Sequence, residues 1–250
     1  MRNFEFLATA FVFALCIAVF PVTKHLHSHS DVQVFCYSYN PNVNDTTVLQ
    51  KTKHGGAEYL NKIIFIGDSR TYGLKAFSML DGGENTKQVW TPRNGTMSIW
   101  DMQFQKIVHP TSDTEITCAE AAAIEKPEII ILSLGINGVE MVDKSYFISE
   151  YTKLIESIKA QSPDSKIILQ SMFPVCRSYT LIENSDIQKG NQWILEVAKK
   201  TNSNFLNTQE VLCDKDGFLI DAYSTDGCHL SPLGLDVQIE YICTHAIGGF

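Results

Sequence analysis

The chain has 250 residues, 44% hydrophobic and 19% charged, with a net charge of −8. Once an N-terminal apolar segment is set aside, that length suits one domain with a full-sized core. No lysine or arginine block occurs, and the acidic balance argues against nucleic acid or an anionic membrane surface as the partner.

From Phe6 to Val22 the chain is apolar except for Thr9 and Pro21. The run is longer than the roughly 7–15 residues of a signal-peptide core and reaches the lower end of the membrane-spanning range, about 17–25. No A-x-A cleavage site follows it, and Phe13-Ala14-Leu15 before Cys16 fits a lipoprotein signal poorly. Residues 1–23 are therefore expected to be an uncleaved membrane anchor in preference to a cleaved signal peptide. The rest of the chain would then be extracytoplasmic, membrane-anchored or secreted. Flanking charge leaves the orientation open, because Arg2 lies on one side, Lys24 on the other, and Glu5 offsets the count.

Residues 24–58 read as a polar linker. His25, His27 and His29 alternate, a pattern that can hold a metal weakly, but nothing fixes their geometry. Asn40-Pro41-Asn42, Asn44-Asp45 and Gly55-Gly56 are turn signals, so a solvated stalk is expected.

Residues 59–250 carry the domain. Ile63-Ile64-Phe65-Ile66, Glu128 through Leu134 and Lys166-Ile167-Ile168-Leu169-Gln170 are short apolar runs of the kind found in strands buried on both faces. Gln88-Val89-Trp90 and Asn204-Phe205-Leu206 fit shorter strands. Between them Phe147, Tyr151, Leu154, Ile155 and Ile158 make one helical stripe, and Trp193, Ile194, Val197 and Ala198 another. A last helix is predicted from Ser231, with Pro232 in its first turn, to about His245. Strands alternating with amphipathic helices predict an α/β fold, a three-layer sandwich with a parallel sheet and helices on both faces. No internal repeat or second domain is visible.

Of seven cysteines, Cys16 falls in the anchor. The remaining six, Cys36, Cys118, Cys176, Cys213, Cys228 and Cys243, suggest disulfides in an exported domain, with buried free thiols as the alternative. No C-x-x-C pair occurs, so neither a zinc ribbon nor a thioredoxin-type site is expected.

Active sites of open parallel sheets form at the carboxyl ends of the strands. Gly67-Asp68-Ser69-Arg70 follows the first strand, Gly135-Ile136-Asn137-Gly138 the central one, and Asp226-Gly227-Cys228-His229-Leu230 precedes the last helix. A serine at a strand-to-helix turn is presented to solvent near the positive end of a helix dipole. His229 can serve Ser69 as base, and Asp226, three residues earlier, can fix the imidazole tautomer. Asn137 can offer its amide to an oxyanion and Ser69 its N–H. Gly95, in Arg93-Asn94-Gly95-Thr96 after the second strand, can complete the hole.

This order, with GDS near the start, a lone loop glycine, G-x-N in the middle and D-x-x-H near the end, resembles the SGNH (GDSL-like) hydrolases over residues 61–246. Any one of these motifs occurs often by chance; all in order, each after the expected element, do not. The resemblance implies a flavodoxin-like α/β sandwich. It also implies Ser69 as nucleophile, Asp226 and His229 as relay and base, and Ser69, Gly95 and Asn137 as oxyanion donors. Asp68 would then stabilise the turn. Gly138 departs from the pattern, since many members carry aspartate there.

The function so implied is that of a serine esterase acting on small-molecule or glycan esters, O-acetylated carbohydrates included. It would need no metal or organic cofactor and would touch the membrane only through its N-terminus. The rivals are an O-acyltransferase with the same triad, a non-catalytic binding module, and a metal-dependent hydrolase using Asp68, Asp226 and His229. Plainer roles also stand: Gly-Asp-Ser as a helix cap, Asp226 and His229 as a surface turn, and His109 and His245 as structural residues. Trp90 and Trp100 would pack in the core rather than form a sugar platform, and Arg70 and Arg177 would make surface ion pairs.

Overall fold

Residues 63–66 and 129–132 are apolar at every position, and such runs are stable as strands only where both faces of a sheet are covered. The computed structural model, which describes residues 46–248, places them at the centre of a five-stranded parallel sheet. In chain order the elements are α1 (Gly56–Leu60), β1 (Ile63–Gly67), α2 (Ser69–Ala76), β2 (Val89–Trp90), β3 (Lys106–Val108), β4 (Glu115–Thr117), α3 (Cys118–Glu125) and β5 (Ile129–Ser133). They continue with α4 (Lys144–Gln161), β6 (Lys166–Gln170), α5 (Asn184–Lys200), β7 (Asn204–Leu206), α6 (Gln209–Leu212) and α7 (Pro232–Thr244). The sheet order is β2-β1-β5-β6-β7, while β3 and β4 form a separate antiparallel pair.

Alternate side chains of a strand point to opposite faces. Ile129 and Ile131 join Ile63, Phe65 and Ile168 under Leu74 of α2 and Leu235 and Ile242 of α7. Ile130 and Leu132 join Ile66, Ile167 and Leu169 under Phe147, Leu154 and Ile155 of α4 and Ile194 and Val197 of α5. This is the predicted three-layer sandwich. The start of α7 was also legible: Ser231 accepts from the Gly234 N–H with Pro232 in the first turn. Asp143, which the sequence reading did not single out, caps α4. Strand β1 has β2 on one side and β5 on the other, so the connections diverge there and open a crevice at the carboxyl ends.

Residues 47–55, expected in the linker, lie against the domain. The Leu49 N–H donates to Phe205 O at 2.9 Å and the Phe205 N–H to Thr47 O at 2.8 Å, which extends the sheet past β7. The Thr52 and Gly55 N–H groups donate to the Thr244 and Cys243 carbonyls at the end of α7. Polar composition hid this because the pairing is through the backbone; Val48 is the buried apolar side chain of the segment. A chain starting at Lys53 is therefore expected to melt several degrees below one starting at Thr46. Losing the bonds made by Thr47, Leu49 and Thr52 and the Val48 contact amounts to on the order of 2 kcal/mol, or about 4–8 °C. Equal melting temperatures by circular dichroism would count against it.

The anchor over residues 1–23 lies outside the described residues, among which no helix is long and apolar enough to cross a membrane. Cys118, Cys176, Cys228 and Cys243 are buried free thiols, which corrects the expectation of disulfides at these positions. Cys118, for instance, sits wholly inside the helical layer, where burial pushes its thiol up to about 12 and a cysteine acts as a small apolar side chain. Cys213, by contrast, is disulfide-bonded.

Candidate active site

The turn from β1 into α2 is too tight for a side chain at Gly67, where a Cβ would lie 1.9 Å from Thr71 Oγ1 and 2.8 Å from Ser133 O. Asp68 follows in extended conformation as the N-cap of α2, its Oδ1 accepting the Arg70 N–H at 3.0 Å. Ser69 is thereby the first helical residue, and it is exposed.

A second turn forms ahead of α7. Asp226 Oδ1 accepts the N–H groups of Cys228 at 2.9 Å and His229 at 2.8 Å, and Gly227 takes the positive φ of 90° that this turn requires. The Ser224 hydroxyl donates to His229 O and accepts from the Gly227 N–H, which closes the loop on itself. Asp226 Oδ2 is then 2.7 Å from His229 Nδ1, and His229 Nε2 is 2.9 Å from Ser69 Oγ. A carboxylate can only accept, so Nδ1 carries the imidazole proton and Nε2 is left to accept from the serine hydroxyl. Partial burial pushes the Asp226 carboxyl up. The two backbone N–H groups and the His229 ring outweigh that and hold it below the usual carboxylate range.

The loop after β5 supplies Asn137. Its Nδ2 donates to Asp68 Oδ2 at 3.1 Å and to Met97 O at 3.2 Å, while its own carbonyl accepts the Ile99 N–H at 3.0 Å. The loop after β2 is thus strapped to the loop after β5. Gly95 lies in that strap beside the serine: a Cβ there would be 3.8 Å from Ser69 Cβ. Its N–H, however, donates to Pro92 O at 2.9 Å. All five candidate residues, Ser69, Gly95, Asn137, Asp226 and His229, are brought to one place on the rim of the sheet.

The departure at Gly138 has a steric cause. Its φ is 113°, and a Cβ would lie 2.9 Å from Ile99 Cγ2 and from Trp100 Cη2 and Cζ3, so the indole occupies the space an aspartate would need. Trp90 is fully buried, as expected of a core residue, whereas Trp100 is 41% exposed. Trp100 is therefore not a core residue; it is held at the surface by the contact with Gly138.

Arg70 departs from the expected surface pair. It is buried, with one guanidinium nitrogen donating to Phe173 O at 2.8 Å, another 3.4 Å from Cys228 Sγ, and its Cζ 4.2 Å over the Phe173 ring. Because α2 begins at Ser69, Arg70 points inward; no sequence signal distinguished it. Arg177 does pair at the surface, with Asp214 at 3.1 Å and with Asp216. His245 is buried against the Tyr241 ring, and His109 bonds Ser112 within its own turn, both consistent with structural roles.

The model of the GDSL-like lipase/acylhydrolase family matches residues 65–237, from within β1 into α7. The chain belongs to that family. Solved structures agree on the fold of this GDSL-like protein. One is a protein from Desulfitobacterium hafniense assigned as a lipolytic member of the G-D-S-L family. It is 22% identical over 72% of this chain and 97% of its own, with a TM-score of 0.51. Another, from Bacteroides fragilis and assigned as an acylhydrolase, is 16% identical over 71% of this chain and 82% of its own, with a TM-score of 0.52. No curated protein matches the sequence.

Proposed function

We propose that this family member is a serine esterase that hydrolyses carboxylic esters, O-acetyl groups on carbohydrates among them, through an acyl-enzyme on Ser69. The observation that carries this is the hydrogen-bonded chain from Ser69 Oγ through His229 to Asp226, at 2.9 and 2.7 Å. In the proposed reaction Ser69 Oγ attacks the ester carbonyl while His229 Nε2 takes its proton, and Asp226 holds the ring and stabilises the imidazolium. The tetrahedral oxyanion is met by the Ser69 N–H at the start of α2, by the Asn137 amide and by the Gly95 N–H, which must be shared with Pro92 O. His229 returns the proton to the leaving alkoxide, and water, activated by the same nitrogen, releases the acid.

An open site supports a bulky substrate such as a glycan. Ser69 is exposed and the His229 side chain is 38% exposed. The half-exposed Trp100 ring, packed on Gly138 next to Asn137, offers a flat apolar face for a sugar. For location, the apolar run over residues 6–22 supports an extracytoplasmic protein tethered or exported by its N-terminus, and the disulfide at Cys213 fits an oxidising compartment.

The test is labelling of the protein with a serine-directed phosphonate, followed by peptide mass analysis. It is paired with a screen of acetylated sugars and short- and long-chain aryl esters. An adduct on Ser69 with ester turnover is expected; no adduct there would overturn the proposal. Product analysis with an added acceptor alcohol separates hydrolysis from acyl transfer. Asn137→Ala is expected to lower kcat by about 100- to 1,000-fold in folded protein, as for other lost oxyanion donors. An unchanged kcat would remove Asn137 from the site.

A further inference from the structure

An asparagine amide has a donor end and an acceptor end of nearly the same shape, so only its partners decide which faces where. The proposed oxyanion role needs Asn137 to present Nδ2, because Oδ1 would repel the developing charge. In this structure Nδ2 faces two acceptors, the Met97 carbonyl at 3.2 Å and Asp68 Oδ2 at 3.1 Å. Asp68 is 1% exposed and immediately precedes Ser69, so water competes little for its carboxylate. Its other oxygen is fixed by the Arg70 N–H at 3.0 Å, which holds the carboxylate in place from both ends.

We propose that Asp68 is a positioning residue for the oxyanion hole: as a carboxylate it locks the Asn137 amide with Nδ2 toward the reacting centre, in addition to capping α2. The proposal rests on the serine-esterase assignment above. A developing oxyanion takes over or shares the hydrogen now given to Met97 O, the neutral and longer partner, while the charged acceptor keeps its own. Protonated Asp68 loses this selectivity, since its O–H can donate to Oδ1 and stabilise the turned-over amide instead.

The groups around Asp68 set when that happens. Burial pushes its carboxyl up to about 6, against the lowering by the Arg70 guanidinium and N–H and by His229 across the crevice. The Tyr151 hydroxyl of α4 also faces it, and burial keeps that phenol neutral throughout. The lock is present above about pH 6 and lost below it.

The experiment uses the full chain and steady-state kinetics from pH 5 to 8, on whichever ester the screen identifies, with circular dichroism to confirm folding at each pH. Full activity then depends on Asp68 being a carboxylate, in addition to the general base. Below about pH 6 the wild-type kcat/KM is expected to fall more steeply than that of Asp68→Asn, by up to the factor that Asp68→Asn itself loses at higher pH. At pH 7.5 Asp68→Asn should lower kcat by at least about tenfold with KM within about twofold. It should lower it by no more than the roughly 100- to 1,000-fold expected for removing the donor itself. Because Asp68 acts through Asn137, the Asp68→Asn/Asn137→Ala double variant should be no slower than Asn137→Ala. A purely structural role predicts additive losses and an unchanged slope. Additive losses, a wild-type kcat in Asp68→Asn, or acid limbs of equal slope in the two proteins would each overturn the proposal. Absence of a phosphonate adduct on Ser69 in the wild type would overturn both this proposal and the esterase assignment. An adduct combined with any of the three contrary results overturns the positioning role alone.

Discussion

Ser69→Ala is expected to lower kcat on the order of 10⁶-fold while leaving the melting temperature within about 2 °C of wild type, the loss typical of removing a serine nucleophile that acts as a unit with its base. The structural half of this expectation comes from position. The Ser69 side chain is exposed and its hydroxyl bonds His229 Nε2. The helix it begins is capped by Asp68, whose bond to the Arg70 N–H the substitution does not touch. Alanine is also the best helix former, so the first turn of α2 loses nothing. The catalytic half follows from chemistry: without the hydroxyl, His229 has no proton to take and no covalent intermediate forms. Residual turnover through water held by the oxyanion donors would remain. The measurement is kcat on the best ester from the screen, with thermal melts of both proteins. Retention of more than about 1% of wild-type kcat would show that Ser69 is not the nucleophile, whatever its distance from His229.

The parts of this arrangement that the sequence disclosed are those encoded locally. Residues 129–132 are apolar at each position because Ile129 and Ile131 face one helical layer and Ile130 and Leu132 the other, so both the strand and its burial were readable. Ser231-Pro232 marked the start of α7, and Asp226 and His229 stand three residues apart, within reach of one turn. The features that escaped depended on partners distant in the chain. Residues 47–55 look like linker by composition, yet they bond to β7 and α7, roughly 150 or more positions away, through backbone groups that composition does not register. Arg70 reads as a surface cation, but the phase of α2 turns it inward onto Phe173 and Cys228. The glycine at 138 stood out as a departure in the sequence, but the reason for it, the indole of Trp100 filling the space of its missing side chain, required the packed structure. Asp68 shows both situations in one residue. Its cap on α2 is a local pattern and was expected; its bond to Asn137 spans 69 positions and was not.

Asp226→Asn is expected to lower kcat by between about tenfold and 10,000-fold, the upper figure being that known for the same change in a Ser-His-Asp hydrolase. The two oxygens of Asp226 do different work, and asparagine cannot do both. Oδ1 accepts the Cys228 and His229 N–H groups, and Oδ2 faces His229 Nδ1. If the amide keeps its oxygen on the backbone, its NH₂ faces Nδ1, which must then be the unprotonated nitrogen. The ring proton moves to Nε2, where it points at Ser69 Oγ and abolishes the base. If the amide turns over, the ring keeps its useful tautomer, but NH₂ now opposes two backbone donors, at a cost of about 1–3 kcal/mol for each group left unsatisfied. The first arrangement costs activity and the second stability, so the variant divides its loss between them. Melting and kcat must therefore be measured together, with kcat normalised to phosphonate-titrated sites. In the wild type the Asp226 carboxyl is held below the usual range. It therefore stays ionised as pH falls through the activity range, and the acid limb reports other groups. A metal-dependent hydrolase using Asp68, Asp226 and His229 would behave differently: activity would fall with chelator and recover with added divalent cation. The structure argues against that grouping, because the Asp68 carboxylate is directed to the Arg70 N–H and Asn137 and not to His229. If Asp226→Asn turns over at the wild-type rate with an unchanged melting temperature, the Ser69–His229–Asp226 assignment is wrong.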